Sequence, residues 1–599
     1  MIESLKKIYT LFPSSDHYKL LILFGMMLLA SLLEVLGIGM IPVFVSTVAS
    51  PDKVLNYPVL GDLLLSLGVS DSESLVIYGA LLLIGVYIVK NTYLGFFLYI
   101  KKRFIENRGV YLQDRIFRAY MTAPYSFYIN RNSAELLRNV TSEVNKIISG
   151  TLMPFMEVTL NFTMFLFIIG TLFLFEPLIT VISIVVLGGG GYLFLHYTKQ
   201  KTKEYGKDNR EARKEKNKAV LQGLNGFKDA RVLNREESFL DHYRFNAERS
   251  KRANTYEYVV GKMPKPIIET IAVAGILSIA LLMVWQGRDV ASIIPVLSLF
   301  GAATVKLMPV LNQVINQSTK IRYNAYSVYA IYDDLKILEN DYRTFRMKVL
   351  GDQDKIAFDH QIVLNSVTYS YPNADEKAVQ EVSIDIPEGG VVAFVGPSGA
   401  GKTTLVDIIL GLLEPQKGTI EADGVDIFEQ IRGWQKNIGY IPQSIYLLDD
   451  TIKRNIAFGI LDDEIDDQKL WDAIEAAQLI ELVERLAEGV ETIVGERGVR
   501  LSGGQQQRIG IARALYDNPQ VLVMDEATSS LDNLTEKYVI KAIERLRGDR
   551  TIIMIAHRLS TVKNCDVIYM MKEGKVVDAG TYEELLEQSA DFRKMSLAD

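Results

Sequence analysis

Apolar residues are concentrated in long, nearly uninterrupted stretches in the first half of the chain. Six stretches occur, and a helix needs about 20 such residues to cross a hydrocarbon core. They cover residues 19–49, 75–100, 150–175, 177–198, 267–286 and 290–316. Any one of them alone is compatible with a buried helix of a soluble protein, but six of this length predict an all-α membrane-spanning domain.

Basic residues are distributed unevenly between the segments that connect these stretches. The connections 101–149 and 199–266 are rich in Lys and Arg, whereas the opposite loops contain only Lys53 and Arg288. Because Lys and Arg accumulate on the cytoplasmic side, we expect a multi-pass protein of the cytoplasmic membrane with both termini inside. The two basic connections are also too long for ordinary loops, and their helical periodicity predicts that they extend the spanning helices.

Two further segments of the first half have less distinctive patterns. The outer loop 51–73 contains a short amphipathic stretch, for which a helix on the outer membrane surface and an ordinary connector are equal alternatives. A polar stretch follows the last apolar one. It divides the chain into a transmembrane domain (1–320), a linker (321–352) and a second domain (353–599).

In the second domain, short apolar stretches alternate with helical patterns. The apolar stretches 390–395, 520–524, 551–555 and 566–571 are rich in Val, Ile and Met. Strands that alternate with helices are typical of a parallel sheet covered by helices. The predicted fold class is therefore an all-α six-helix membrane domain followed by an α/β domain.

A glycine-rich sequence follows the first of these strands. Gly396, Gly401, Lys402 and Thr403 fit the pattern G-x-x-x-x-G-K-[ST], in which backbone N–H groups and a helix N-terminus surround phosphates. Lys402 can reach the β- and γ-phosphates, and the Thr403 hydroxyl can bind Mg²⁺. The second domain is therefore predicted to be an α/β P-loop nucleotide-binding domain. The residues predicted to surround the phosphates are Gly396, Pro397, Ser398, Gly399, Ala400, Gly401, Lys402, Thr403 and Thr404.

Two other sequences carry chemistry that suits a nucleotide. The strand at 520–524 is followed by Asp525, suited to hold Mg²⁺, and by Glu526, suited to activate the water that attacks the γ-phosphate. A second phosphate-binding helix N-terminus is predicted where a hydroxyl and two glycines open a helix. Its residues are Ser502, Gly503, Gly504 and Gln505.

The sequence 501–505, Leu-Ser-Gly-Gly-Gln, resembles the signature of ATP-binding cassette (ABC) proteins. The resemblance implies that Tyr371 stacks on adenine, that Gln443 contacts Mg²⁺, and that His557 contacts the γ-phosphate. It also implies that 530–532 crosses between paired cassettes and that 495–498 contacts the cytoplasmic helices. Because Lys402, Glu526 and His557 are all present, the resemblance implies hydrolysis of ATP with Mg²⁺ as the second cofactor.

The resemblance covers the whole chain, because six spans followed by one cassette is the layout of ABC half-exporters. Residues 125–138 and 225–233 are similar to the two regions that contact cassettes in such exporters. In the family, each complete site uses two cassettes, which implies a homodimer; a heterodimer is the alternative. The six spans contradict a soluble ABC ATPase, and the intact Glu526 and His557 argue against a regulatory channel.

Composition limits the partners. The net charge of −7 over 599 residues gives no field that would attract nucleic acid, and a single cysteine excludes an intrachain disulfide. The lipid bilayer and an amphipathic substrate are the expected partners.

The substrate is suggested by weaker similarities. Residues 51–73, 306–309 and 441–447 resemble bacterial flippases of lipid-linked oligosaccharides, with multidrug, lipid or peptide export as the alternative.

Three lysines lie within or at the edge of spans, namely Lys90, Lys265 and Lys306. Charged residues there are costly and usually face a cavity or a partner, so these lysines are candidates for binding a pyrophosphate head group. The alternatives are that Lys265 reaches the membrane interface and that Glu34 and Glu269 pair with the lysines inside the bundle.

Overall fold

The chain forms two compact units, which are described separately. One comprises Met1–Met121 and Arg131–Asp341, and the other comprises Thr122–Asn130 and Tyr342–Asp599. The structure is a computed structural model, and the residues that it describes are 2–49, 72–129, 131–175, 177, 180–181, 189–285, 290–351, 353–372, 374, 376–495, 498–525, 547–556 and 558–598.

Apart from short turns, the described residues of the first half of the chain are helical. Its helices are α1 (Ile2–Leu11), α2 (His17–Ala49), α3 (Ser72–Met121), α4 (Tyr125–Ile129), α5 (Ser133–Arg138), α6 (Val144–Ile147), α7 (Met153–Phe175), α8 (Gly189–Asn225), α9 (Phe227–Val232), α10 (Glu236–Lys262), α11 (Pro264–Trp285) and α12 (Val290–Lys336). A 3₁₀ turn precedes α2 at Ser14–Asp16, and π-helical turns occur at Asn139–Glu143, Ile148–Leu152 and Ile337–Asp341.

Within the described residues, three helical segments are long and apolar enough to cross a membrane. They are Ser14–Gly37, Glu73–Met121 and Ser133–Gly170, and only 28%, 11% and 22% of their most apolar windows are buried. Their apolar side chains therefore face outward, as contact with lipid requires. Predicted spans five and six coincide with α11 and α12. The fourth stretch is described at 177, 180–181 and 189–198, where the last segment belongs to α8, and the outer loop is described only at 72–73.

The predicted extensions of the spanning helices are present as continuous helices. Helix α3 runs for 50 residues, well beyond the apolar stretch that ends at residue 100, and α8 and α10 occupy most of the second basic connection. Helix α12 also continues past residue 320, so that the first part of the predicted linker is helical.

Buried polar contacts join the ends of these helices. The Asp334 carboxylate, on α12, accepts hydrogen bonds from the Tyr120 hydroxyl (2.6 Å) and the Asn139 amide (2.9 Å). The Arg131 guanidinium lies 3.2 Å from the same carboxylate. Because three donors converge on one buried acceptor, Asp334 fixes α12 against the end of α3 and the segment that begins α5.

The second unit contains the strands and the shorter helices. Its strands are β1 (Gln361–Tyr369), β2 (Val379–Pro387), β3 (Val391–Val395), β4 (Lys417–Ala422), β5 (Val425–Asp426), β6 (Ile438–Ile441), β7 (Val521–Asp525), β8 (Thr551–Ile555), β9 (Val567–Lys572) and β10 (Lys575–Gly580). Its helices after the first unit are α13 (Arg343–Leu350), α14 (Lys402–Ile409), α15 (Ile431–Gln435), α16 (Ile452–Ile456), α17 (Asp467–Ala476), α18 (Ile480–Arg485), α19 (Gly503–Leu515), α20 (Tyr582–Gln588) and α21 (Ala590–Ala598).

Two sheets organise this unit. The larger has the order β10-β9-β3-β8-β7-β6, and β9, β3, β8, β7 and β6 pair in parallel. Every residue of β3, β7 and β8 is buried, as expected for strands covered on both faces. The four predicted strands are thereby confirmed. The smaller sheet, β2-β1-β4-β5, is antiparallel and was not predicted.

Candidate functional site

The phosphate loop connects β3 to α14, as the sequence predicts. Gly396 has φ +145° and Gly401 has φ +95°, conformations that favour glycine. A Cβ atom added at these positions would lie 2.1 and 2.2 Å from backbone carbonyl oxygens of Met571 and Ala378. The loop therefore requires glycine at both positions, for backbone conformation and for space.

Lys402 is held inside the curve of this loop. Its ammonium donates hydrogen bonds to the carbonyl oxygens of Gly396 (2.8 Å) and Pro397 (3.0 Å), and the residue is 5% exposed. The neighbouring residues Pro397, Ser398 and Gly399 are exposed, whereas Ala400 is buried. The loop thus presents an open rim around a fixed positive charge, which is an arrangement suited to a polyphosphate.

The two threonines that follow Lys402 have different environments. Thr403 is exposed, and its hydroxyl is accessible from solvent. Thr404 is buried, and its hydroxyl oxygen lies 3.1 Å from the Tyr371 hydroxyl. The Tyr371 ring also packs edge-on against Tyr369, with centroids 5.2 Å apart. Tyr371 is therefore anchored beside the start of α14.

Parallel pairing brings the other predicted residues to the same edge of the sheet. Strand β7 ends at Asp525, which is 8% exposed and pairs with Ile555 of β8. On the other side of β7, Ile441 of β6 pairs with Met524, so that Gln443, which is exposed, follows β6 at this edge. Because the carboxyl ends of parallel strands meet at one edge, the phosphate loop, Asp525 and Gln443 share it.

Asp407, on α14, is a titratable residue of this region that sequence reasoning missed. Burial, followed by the negative charge of Asp525, raises the pKa of the Asp407 carboxyl to about 6. The signal in the sequence was its place on the helix that begins with Lys402, but its proximity to Asp525 depends on the fold. A second carboxylate thus lies near the predicted magnesium ligand.

The signature residues form the start of α19. The Ser502 hydroxyl accepts a hydrogen bond from the Gln505 backbone N–H (3.3 Å), and the Gln505 side chain accepts one from the Ser502 N–H (2.8 Å). This capping box fixes the first turn. Ser502 and Gly503 are exposed, whereas Gly504 is partly exposed, so that the helix N-terminus remains accessible.

Several predicted residues lie outside the described part of the chain. These are Glu526, His557, the segment 530–532, and two residues of 495–498.

The three lysines proposed for substrate have different surroundings. Lys90, on α3, is 5% exposed, and its ammonium lies 2.8 Å from the Glu34 carboxylate of α2, which is the ion pair considered as the alternative. Lys265 is exposed near the start of α11. Lys306 lies on α12, but its side chain is not among those described.

The two regions similar to cassette-contacting segments also differ. Residues Thr122–Asn130, which include α4, group with the cassette unit, and the pKa of the Tyr125 phenol is raised by burial and by nearby Asp407. Helix α9, in the other region, presents exposed apolar side chains, with Phe227 59% and Val232 72% exposed.

Comparison with known proteins agrees with this architecture. The family description "ABC transporter" matches residues 379–529, and "ABC transporter transmembrane region" matches residues 36–307. A solved structure of a bacterial Atm1-family ABC exporter with ATP bound superposes with a TM-score of 0.77 over 98% of this chain and 99% of that chain. At 20% identity, this likeness concerns the fold.

Curated relatives share more of the sequence. An ATP-dependent lipid A-core flippase of Francisella tularensis (strain SCHU S4 / Schu 4) is 30% identical over 488 residues, covering 80% of this chain and 78% of the relative. The corresponding protein of Cupriavidus pinatubonensis (strain JMP 134 / LMG 1197) is 31% identical over 489 residues, covering 80% of this chain and 81% of the relative. The chain therefore belongs to the ABC transporters, as a membrane-embedded, ATP-hydrolysing half-exporter related to lipid flippases.

Proposed function

We propose that this transporter flips a lipid whose head group is anionic, and specifically a lipid-linked pyrophosphate oligosaccharide. The observation that carries the proposal is Lys90, a buried ammonium on an apolar helix long enough to cross a membrane. Relatives that act on lipid A-core support a lipid substrate. An anionic head group needs cationic groups along its path, and lysine provides a compact charge for a phosphate.

We assign the head-group site to Lys90, Lys265 and Lys306. Replacing all three by alanine is expected to reduce flipping of a pyrophosphate-linked glycolipid in proteoliposomes while basal ATP hydrolysis persists. Unchanged flipping would reject the assignment, and loss of both activities would indicate that the lysines stabilise the bundle. Faster transport of an uncharged amphipathic drug than of the glycolipid would favour multidrug export instead.

At the nucleotide, the chain's own residues have separate roles. ATP supplies the phosphoryl group whose transfer to water drives transport. Lys402 neutralises phosphate charge from inside the loop. The oxygens of Thr403, Gln443 and Asp525 match the donor preference of Mg²⁺, and their position at one sheet edge supports a shared role. The resemblance assigns Tyr371 to adenine and His557 to the γ-phosphate.

Glu526 is the proposed general base. Glu526→Gln keeps the shape of the side chain, but the amide cannot accept the proton of the attacking water. The rate of ATP hydrolysis should therefore fall by a factor of roughly 10²–10⁴. ATP binding, measured with a fluorescent analogue, should survive. Near-normal hydrolysis by the folded variant would remove Glu526 from this role.

We further propose that two copies of the chain complete the sites, with the signature of one copy facing the phosphate loop of the other. Ser502→Arg should then stop hydrolysis although the phosphate loop is unchanged. Mixing Ser502→Arg chains with Lys402→Ala chains should restore at most one complete site per dimer. Full activity of a purified monomer would contradict this assembly.

The uneven distribution of Lys and Arg supports the cytoplasmic membrane, with both termini and the cassette in the cytoplasm. Proteolysis of inside-out vesicles should release the cassette, whereas proteolysis of intact cells should not. In this proposal, residues 1–320 are the transmembrane domain, 321–352 the connection and 353–599 the cassette.

A further inference from the structure

The ion pair between Lys90 and Glu34 is unequally exposed. The ammonium and carboxylate lie 2.8 Å apart, and 6% of the Lys90 side chain is exposed compared with 19% of the Glu34 side chain. The ammonium is thus the more buried of the two charges, and the carboxylate is the more accessible one. Solvent or a ligand therefore reaches the Glu34 carboxylate more readily than the Lys90 ammonium.

The surroundings of Lys90 hold its charge in place. Its ammonium lies 4.5 Å from the centroid of the Tyr87 ring, which favours a cation. The Tyr87 hydroxyl donates a hydrogen bond to the Gly37 carbonyl oxygen (3.2 Å), which fixes the ring. At Gly37, an added Cβ would lie 3.2 Å from Lys90 Cδ, so that glycine leaves the space through which the lysine stem passes.

Electrostatics require a counter-ion at this position. A buried charge without a partner is strongly unfavourable, and breaking a buried pair leaves the remaining charge uncompensated. A phosphate could bind Lys90 only by replacing the carboxylate, and such an exchange keeps the ammonium paired throughout. A neutral ligand cannot replace the carboxylate at the same free-energy cost, because the lysine would be left without a counter-ion.

We propose that Glu34 is the exchangeable counter-ion of Lys90: it neutralises the lysine in the substrate-free transporter and is displaced by the phosphate of the lipid head group. Glu34 is then a specificity-determining residue, because it competes with weakly charged or neutral lipids and yields to a pyrophosphate. This inference rests on the proposed function, since it requires an anionic substrate at Lys90.

A second pair provides a matched control. Lys101 lies on the same face of α3, three helical turns beyond Lys90, and pairs with Glu157 of α7. Its side chain is 3% exposed, and that of Glu157 is 22% exposed. Removing the Glu157 charge therefore perturbs the bundle in a similar way without affecting Lys90.

The test measures lipid-stimulated ATP hydrolysis by the full-length protein in proteoliposomes. The probes are polyprenyl pyrophosphate and, as its neutral counterpart, polyprenyl alcohol. Glu34→Gln removes the charge that competes with the phosphate for Lys90. The concentration of polyprenyl pyrophosphate that gives half-maximal stimulation should therefore fall roughly tenfold, which corresponds to the free energy of one charge-assisted hydrogen bond. The response to polyprenyl alcohol should not change, and Glu157→Gln should respond to both probes as the wild type does.

Two further variants test the same point. In a Lys90→Ala background, Glu34→Gln should no longer change the half-maximal concentration. Glu34→Asp keeps the charge but shortens the side chain by one methylene, which weakens the pair with Lys90, and it should lower the half-maximal concentration of polyprenyl pyrophosphate by less than Glu34→Gln does. This variant also tests the proposal if Glu34→Gln fails to fold, as judged by size-exclusion chromatography.

When Glu34→Gln folds, three results for the variants would overturn the inference. They are an unchanged half-maximal concentration for folded Glu34→Gln, an equal change for polyprenyl alcohol, and an effect that persists without Lys90. If Glu34→Gln does not fold, an unchanged half-maximal concentration for folded Glu34→Asp overturns the inference instead. If the wild-type protein responds to neither probe, both the proposed substrate class and this inference are refuted. If the wild type responds to polyprenyl pyrophosphate and the Glu34 variant responds in the same way, only the exchange of Glu34 for phosphate is refuted.

Discussion

The carboxyl group of Asp407 is predicted to make the stability of the cassette depend on pH. Burial and the charge of Asp525 raise its pKa from 3.8 to about 6. The unfolded chain has therefore released this proton at a pH where the folded chain still holds it, and the free energy of unfolding falls as the pH rises between these values. At neutral pH the ionised Asp407 destabilises the fold, and Asp407→Asn should relieve that cost.

The magnitude follows from the pKa. The full displacement corresponds to about 3 kcal/mol, and because the side chain is partly exposed, solvent screening reduces this to about 1–2 kcal/mol at pH 7.5. For a domain of this size, the thermal midpoint should rise by about 2–6 °C. At pH 4.5, where folded Asp407 is protonated, the gain should be much smaller.

The assay is thermal unfolding of the full-length protein in detergent without nucleotide, between pH 4.5 and 7.5. Asp463→Asn, at an exposed position of the same unit, is the control for removing one negative charge. Parallel pH profiles for the wild type and Asp407→Asn would refute the reasoning, as would a lower midpoint for the variant at pH 7.5.

Two further predictions use matched pairs of neighbouring residues. Gly401→Ala should abolish ATP binding, because the added Cβ would lie 2.2 Å from a backbone oxygen. Gly399→Ala, whose added Cβ has nothing within 4 Å, should cost only about 1–2 kcal/mol of backbone strain. Equal affinities of the two variants for a fluorescent ATP analogue would contradict this prediction. Asp334→Ala leaves buried donors without their acceptor and should lower stability by about 2–4 kcal/mol, whereas Asp333→Ala, whose side chain is 60% exposed, should change the thermal midpoint little.

Elements with a strong local pattern could be predicted from the sequence. The strands β3, β7 and β8 are buried on both faces and therefore read as continuous apolar stretches, and the phosphate loop has a fixed spacing of residue types. The smaller sheet could not be found in this way. Residues of β1 alternate only in part between buried and exposed, and shifts in its pairing with both neighbours interrupt the period.

The candidate site shows the same division between local and distant information. The residue types of the loop reveal phosphate chemistry because each acts through its own backbone or side chain. The raised pKa of Asp407, on α14, instead depends on burial and on the charge of Asp525, which lies at the end of β7, far away in the sequence. A sequence therefore identifies the residues that can do the chemistry more readily than the neighbours that set their charge.

Lys90 illustrates why this difference matters for function. Its place in an apolar span implies that some group compensates its charge, and a substrate phosphate and an internal carboxylate satisfy that requirement equally well. The structure supplies the carboxylate, Glu34, at 2.8 Å. Binding of a substrate phosphate and pairing with an internal carboxylate exclude each other only if the ion pair between Lys90 and Glu34 is permanent. The carboxylate is the more exposed partner, and the lysine keeps its contact with the Tyr87 ring independently of Glu34. In our proposal the site therefore keeps its charge balanced in both states, and the internal ion pair is the substrate-free form of the binding site.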